Sequence, residues 1–421
     1  MEKIKYNDKW MYTLIPYGMG FMPFLIMLPL LILKLGGNAI DISYTATLGN
    51  ITWIIGSFVW GYISDYYDLK KLTILGLLTS GLFVIPMAYA KSVVEVEILY
   101  GIWSFFNTAL IISLYLIIIK TFAKEMWVIE NAKLNFLNTI GYLLGFLGSS
   151  ALAIYFKVNF LILMTGILMT LSSLLSYYFL PKIENNHKEL SWINVLKSFL
   201  IKIRIMSKIF NPSFLKISLK KAFDFKNKKI QNMRIILLYT GNFLFYLSYG
   251  IILTQYSASL KIYGISDSII LAIFSLGTFS QIISFYFSPR FINTYGKIRA
   301  SWITLSLRGI SFFMIGLSMF LFLNKTYLIL SQFVFYSLGG GLAYSIFFTA
   351  ANVMVLETTK TEKEGSTLGI YETLIAFGFT IGSFISGYMI NYTGFPITFI
   401  ITGILIIINS AIFKIMEEKQ K

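Results

Sequence analysis

Residues 56–72 read GSFVWGYISDYYDLKKL: an apolar run carrying Gly56 and Gly61 that breaks into Asp65, Asp68 and the pair Lys70 and Lys71. This is the pattern of a membrane helix ending in a short charged turn, with another apolar run starting at Leu72. Glycine allows two helices to approach closely, and an acid beside the basic start of the next helix can bridge helices at the membrane surface. Gly61, an acid four residues on, and basic residues five and six positions after that acid form the most informative spacing in the chain.

Composition agrees with a membrane reading. The 421 residues are 57% hydrophobic and 13% charged, whereas soluble domains carry about 25% charged residues. Crossing a hydrocarbon core of about 30 Å takes about 20 mostly apolar residues. Such runs lie near 11–34, 45–64, 72–90, 95–119, 132–156, 159–181, 232–258, 267–288, 298–323, 326–354, 366–390 and 394–414, which predicts twelve transmembrane helices. No early basic stretch precedes a small-residue cleavage site, so the first run is read as a retained span.

A net charge of +16 invites a nucleic-acid reading, but the placement of the charges excludes it. Of the 35 basic residues, only Lys34, Lys91, Lys157, Lys261 and Lys325 fall at the short connections on one side, and Arg308 falls within a span. The others gather on the opposite side, so the positive-inside rule places both termini in the cytoplasm of a cell-membrane protein. The chain has no cysteine and a single histidine, His187, in a loop. Disulfides, thiol nucleophiles and cysteine-ligated zinc are excluded, no metal or cofactor is expected, and intramembrane enzyme chemistry lacks its clustered groups.

The chain divides at one long polar stretch, Lys182 to Gln231, giving expected units at 1–181, 182–231 and 232–421. The two outer units echo one another. Tyr12-Thr13 returns as Tyr239-Thr240, Asp65 with Lys71 matches Asn293 with Arg299, and Leu134, Thr139, Gly148 and Ser149 recur as Leu368, Thr373, Gly382 and Ser383. A shared order and spacing of weak matches describes two homologous halves. In the central stretch Trp192, Leu196, Phe199, Ile203, Met206 and Phe210 recur at helical steps opposite Lys197, Arg204 and Lys208. That predicts an interfacial helix facing anionic lipid headgroups.

The loop signature, the spans and the repeat together resemble the major facilitator superfamily. The resemblance implies an all-α polytopic fold of two pseudo-symmetric six-helix bundles and transport of a small molecule by alternating access. It also implies a cytoplasmic gate at Gly61, Asp65, Lys70 and Lys71, with a degenerate second copy at Asn293 and Arg299. Where the family usually has a glycine three residues after the acid, this chain has Asp68; the second copy keeps Gly296. Span four has no arginine and span five no Gly-Pro step, so the motifs of proton-driven drug exporters are missing.

The family layout places the first and fourth spans of each half around a cavity. On those spans Tyr17, Tyr100, Trp103 and Asn107 stand in the first half. In the second half Tyr239, Asn242, Tyr246 and Tyr249 share one face, followed by Gln332, Tyr336 and Tyr344. Tyrosine, asparagine and glutamine stack on flat faces and bond hydroxyls or amides without a fixed charge, which points to a neutral or weakly polar substrate. Two charges lie well inside spans, Arg308 and Glu372. Glu372 suits either proton coupling or a gate tie; Arg308 suits a structural partner or a pair with Glu372. The protein is expected to act as a monomer. A receptor or scaffold that kept the fold and lost transport is the rival class, which the intact Asp65, Lys70 and Lys71 disfavour.

The charge distribution yields a direct test. Single cysteines introduced near either terminus or within 182–231 should resist impermeant thiol reagents added to intact cells, and ready labelling there would overturn the topology.

Overall fold

The computed structural model describes residues 8–64, 66–123, 126–181, 229–321, 324–358 and 364–418. Asp65 and the interfacial helix expected at 192–210 lie outside the described residues, as does the side chain of Glu372. Among the described residues the regular structure is helical. The helices are α1 (Ile15–Lys34), α2 (Ala39–Ser64), α3 (Leu69–Met87), α4 (Val93–Thr121), α5 (Trp127–Leu152), α6 (Val158–Phe179), α7 (Lys229–Ile262), α8 (Asp267–Tyr295) and α9 (Lys297–Phe320). Then come α10 (Lys325–Tyr336), a π-helical turn at Ser337–Leu342, α11 (Ala343–Thr358) and α12 (Glu364–Glu418). A short 3-10 helix, Asp8–Leu14, precedes α1.

Nine stretches among the described residues are long and apolar enough to cross a membrane. That is fewer than the twelve runs read from sequence, for identifiable reasons. Helix α5 carries Glu130, Asn131, Lys133, Asn135 and Asn138, and α2 is rich in Thr, Ser and Gly, so neither reaches the same apolarity. The final two runs are joined as α12, which turns at Gly394 with φ 77°, a conformation that strains any residue with a Cβ.

Helix starts were mis-set where caps went unread. Helix α2 begins at Ala39, not near 45, because Asn38 Oδ1 accepts from the Ile40 amide at 2.7 Å while Asp41 Oδ2 accepts from the Asn38 amide at 2.8 Å. Helix α5 begins at Trp127, not near 132, which puts Glu130 on its first turn and buries it to 6% exposure. At the start of α4 Ser92 Oγ accepts from the Glu95 amide at 3.3 Å, and Glu95 Oε2 accepts from the Lys91 amide at 2.8 Å. Asp68, the departure in the loop signature, is the cap of α3: its Oδ1 accepts from the Lys70 and Lys71 amides at 2.7 and 3.4 Å. In the second copy Gly296, at φ 84°, both closes α8 and opens α9.

Packing follows small residues. Helix α1 lies on α5 and α6, α2 on α4, and α3 on α4 and α6; α12 lies on α7 and α9. At the α1/α5 crossing a Cβ on Gly18 would stand 3.2 Å from Gly141 Cα, and one on Gly145 2.7 Å from Met19 Cα. At α7/α12 the same contact recurs, with Gly250 facing the Ser383 amide and Gly382 facing Leu247. Gly61 differs from expectation. A Cβ there would meet only Ile112 Cδ1 at 4.0 Å, and the close approach on α2 falls instead at Gly56, against Phe105 O.

Several hydrogen bonds join helices α1–α6 to helices α7–α12 on the side of the turns at 35–38 and 263–266. Ser43 Oγ meets Ser386 Oγ at 2.8 Å and Tyr44 OH meets Tyr388 OH at 2.5 Å. Gln255 donates to Ala39 O and Ser43 Oγ, both at 2.8 Å, and Asn50 donates to Ser383 Oγ at 3.3 Å. On the other flank Ser150 and Ser268 exchange hydroxyl-to-carbonyl bonds of 2.8 and 2.7 Å, beside Phe146 stacked on Phe274.

The α1/α5 contact predicts opposite outcomes for neighbouring glycines. Gly145→Leu should reduce the yield of monodisperse protein in fluorescence-detected size exclusion, a cost of about 1–3 kcal/mol or more from overpacking. Gly148→Leu, where a Cβ meets nothing within 4 Å, should elute like wild type.

Candidate functional site

Two cavities lie where helices from the two ends of the chain meet. The larger, about 330 Å³, is walled by α1, α2, α4, α7 and α12. Its surface is largely apolar and aromatic, with Tyr100 stacked on Trp103 at 5.2 Å, and Phe21 stacked on the other side of the indole at 5.8 Å. Trp103 is 2% exposed and its indole Nε1 has no hydrogen-bond partner, a buried donor facing a cavity-lining environment. Polar groups are sparse: Asn50, Ser104, Thr254 and Thr380.

The smaller cavity, about 150 Å³, is bounded by α1, α5, α7, α8, α9, α10 and α11 together with the π-helical turn. Leu253 borders both cavities, so the two are adjacent. Tyr256 stacks on Tyr336 at 4.9 Å, and five tyrosines, Thr278, Gln281 and Arg308 face this space.

The π turn and Arg308 explain one another. Three consecutive glycines, Gly339 to Gly341, let α8 and α9 press against this turn: a Cβ on Gly339 would stand 2.7 Å from Ser311 Cβ, and one on Gly341 2.8 Å from Ser280 Cβ. A π turn disturbs the regular ladder of carbonyl acceptors. Ser280 Oγ donates to Ser337 O at 3.0 Å, Ser284 Oγ to Leu342 O at 2.9 Å, and Arg308 Nη1 to Gly339 O at 2.6 Å. The guanidinium carbon lies 5.1, 5.5, 5.0 and 5.6 Å from the ring centres of Phe245, Tyr249, Phe312 and Tyr344. An arginine at mid-membrane costs on the order of 3 kcal/mol. Desolvated cation–π contacts contribute up to about 2 kcal/mol each, and a hydrogen bond from a charged donor about 1.5–3 kcal/mol. The cage therefore offsets the burial while leaving the positive charge in place.

The residues singled out from sequence divide into two groups. Trp103 and Tyr246 line the larger cavity, and Tyr249 and Tyr336 the smaller. Tyr17, Asn107, Asn242 and Gln332 line neither. Tyr17 OH and Asn107 bond each other at 2.8 Å, and Asn107 Nδ2 also donates to Ser80 Oγ at 2.9 Å, tying α1, α3 and α4 together. Asn242 accepts from Tyr371 OH at 3.1 Å, and Gln332 accepts from Tyr256 OH at 3.1 Å while donating to Ser318 Oγ at 2.9 Å. Thus one face of α7 splits, with Tyr246 and Tyr249 turned to different cavities and Asn242 to α12.

Arg308 makes no ion pair with a carboxylate among the described residues. At the loop signature Lys70 Nζ donates to Leu180 O at 2.7 Å and Lys71 lies 5.8 Å from the Tyr67 ring centre. In the second copy Asn293 is exposed, whereas Arg299 Nε and Nη2 hold Glu417 at 2.8 and 2.6 Å, with Trp302 donating to the other carboxylate oxygen. Lys297 pairs with Glu357. Sequence reasoning passed over Tyr142, Tyr256, Thr278 and Gln281, which line the smaller cavity. The seven-residue step from Tyr249 to Tyr256 on α7 was the available signal for one of them.

The sequence profile of the Major Facilitator Superfamily matches residues 11–340 and, in a second register, residues 238–421. No curated protein matches the chain. Solved structures with the same fold include a POT family transporter in complex with a thioalcohol-conjugated peptide (TM-score 0.74, 13% identity, covering 98% of this chain and 96% of that one). Another is the nucleoside transporter NupG (0.70, 12%, 98% and 98%). A third is a bacterial homolog of the human lysosomal transporter Spinster, in an inward-facing and occupied conformation (0.69, 10%, 97% and 96%).

Asn107 and Thr380 generate a paired stability prediction. Asn107→Ala orphans the buried Tyr17 hydroxyl and removes a donor from Ser80, whose own bond to Gly76 O remains, and should cost about 1–3 kcal/mol. Thr380→Ala, on the cavity wall with only a local bond to Ala376 O, should stay within about 0.5 kcal/mol of wild type. Thermal unfolding in detergent compares the two.

Proposed function

The chain belongs to the Major Facilitator Superfamily, and on that premise we propose that it is a secondary transporter carrying a small organic molecule across the cell membrane by alternating access. The observation that carries this reading is the coincidence of an aromatic-walled cavity between helices of both ends of the chain with a seam of hydrogen bonds that joins those ends on one side of it. A cavity shut on one side by few, exchangeable hydroxyl and amide contacts suits a gate that opens and closes. Three of the aligned structures are a POT family transporter in complex with a peptide conjugate, a nucleoside transporter and a homolog of the lysosomal transporter Spinster, which supports a small-molecule cargo.

In this reading the chain forms twelve spans in two halves of six, with 182–231 as a basic linker against anionic headgroups, both termini cytoplasmic, and a monomer as the working unit. The seam then closes the outer side, and the helix ends around Gly61, Asp65, Lys70 and Lys71 face the open, cytoplasmic side. The space next to Gly61 is room that the second half, through Asn293 and its neighbours, takes up when the gate reverses. The mostly apolar lining of the larger cavity suits a body that is neutral or weakly polar. Trp103 and Tyr246 there, and Tyr249 and Tyr336 in the smaller cavity, are the side chains that contact cargo. Tyr17, Asn107, Asn242 and Gln332 act behind them, holding the lining helices in register.

Uptake of radiolabelled nucleosides, dipeptides and small carboxylates into proteoliposomes, with and without a pH gradient, tests the reading; saturable uptake accelerated by unlabelled compound inside is expected. Glu372 is the carboxylate proposed to couple that movement to protons. Glu372→Gln should abolish accumulation driven by a pH gradient yet spare exchange; equal loss of both would make it a gate tie, and unaltered accumulation would remove it from either role.

A further inference from the structure

Arg308 is 1% exposed, belongs to a helix outside the expected set of cavity helices, and nevertheless reaches the smaller cavity. Its single hydrogen bond runs from Nη1 to the Gly339 carbonyl, and its Nε is buried without an acceptor. Among the described residues, no aspartate or glutamate lines either cavity. Four aromatic rings hold the guanidinium by their electron-rich faces, which stabilises a positive charge without cancelling it. The surrounding surface supplies Tyr, Thr and Gln side chains, groups that can donate to an anion.

Building on the transport reading, we propose that the smaller cavity is a carboxylate subsite and that the cargo is a small organic monocarboxylate. Its anionic group pairs with Arg308, and its apolar body lies against Trp103 and Tyr100 in the adjacent larger cavity. One guanidinium carries one charge, so a monocarboxylate brings the site to neutrality where a doubly charged phosphate ester leaves an excess negative charge in a low-dielectric interior. A planar carboxylate also matches the fork of a guanidinium, whose Nε–Nη2 edge is left over once Nη1 is engaged with Gly339. Leu253, common to both cavity walls, places the charged and apolar ends of such a molecule side by side.

The test uses matched pairs that differ only in charge: benzoate and benzamide, 4-phenylbutyrate and 4-phenylbutyramide, octanoate and octanamide. Thermal unfolding of the purified wild-type protein is measured across a titration of each. At least one carboxylate should raise the midpoint with an apparent affinity about tenfold or more above its amide. Arg308→Gln should erase that difference, and Arg308→Lys should keep part of it. If every amide matches its carboxylate on the wild-type protein, the subsite is refuted, a result that does not depend on any variant folding. Retention of the carboxylate preference by Arg308→Gln would refute it equally. Counterflow of the labelled best binder in proteoliposomes separates this inference from the transport reading. Arg308-dependent binding without movement would sink transport and leave the subsite standing, whereas movement of the amide in preference to the acid would do the reverse.

Discussion

Direct backbone contact between helices is the constraint on which the rest of the structure depends. In a bilayer the hydrophobic effect does not press one helix on another, so association rests on close packing and on hydrogen bonds that have no water to compete with them. Glycines meet that demand at α1/α5, through Gly18, Gly141 and Gly145, and at α7/α12, through Gly250 and Gly382. Because these helices touch through their small faces, their large side chains are turned elsewhere. Phe21, Tyr142, Tyr246, Tyr249 and Phe379 end on the cavity walls for that reason.

Polar groups inside the protein follow a common rule of local satisfaction. Serine and threonine hydroxyls mostly bond back to carbonyls on their own helix, whereas the asparagines and glutamines reach across. Asn107 joins three helices, Asn409 donates to Gly241 O at 2.8 Å, and Gln255 spans the seam between the two ends of the chain. Those long-range amide bonds fix register where apolar contact alone would permit sliding. The π turn on the tenth span is the exception to regular helix geometry, and it is held by donors from α8 and α9, one of which is the buried guanidinium. A site for charge and an irregular backbone thus occur together, as they do wherever non-helical backbone at membrane depth borders a cavity.

The loop signature illustrates how a motif can be right in outline while its parts do different jobs. Asp68, which looked like a lost glycine, starts α3 by accepting two backbone amides. Gly61, read as a close-packing residue, faces open space in this conformation. In the second copy Arg299 is bound to Glu417 at the far end of α12 and not to Asn293. The Asp68 cap is local to the chain, whereas the Gly61 and Arg299 differences reflect a conformational state and a partner distant in sequence, which a local pattern does not encode.

Hydropathy and charge sidedness are properties of the linear chain, and together with the loop signature they sufficed for an all-helical membrane protein and for its family. The sequence also determined that charge in the interior would be scarce, which singled out Arg308. Tertiary structure alone decided which polar residues face the cavities. Tyr17 and Asn107 share the helical faces of Phe21 and Trp103, yet one pair bonds inward and the other lines the cavity, because helix rotation and tilt are set by neighbouring helices and not by periodicity. It likewise decided that a guanidinium on a helix outside the expected set of cavity helices reaches the smaller cavity. The long Arg308 side chain bonds the Gly339 carbonyl in the π turn and lies among rings from α7, α9 and α11.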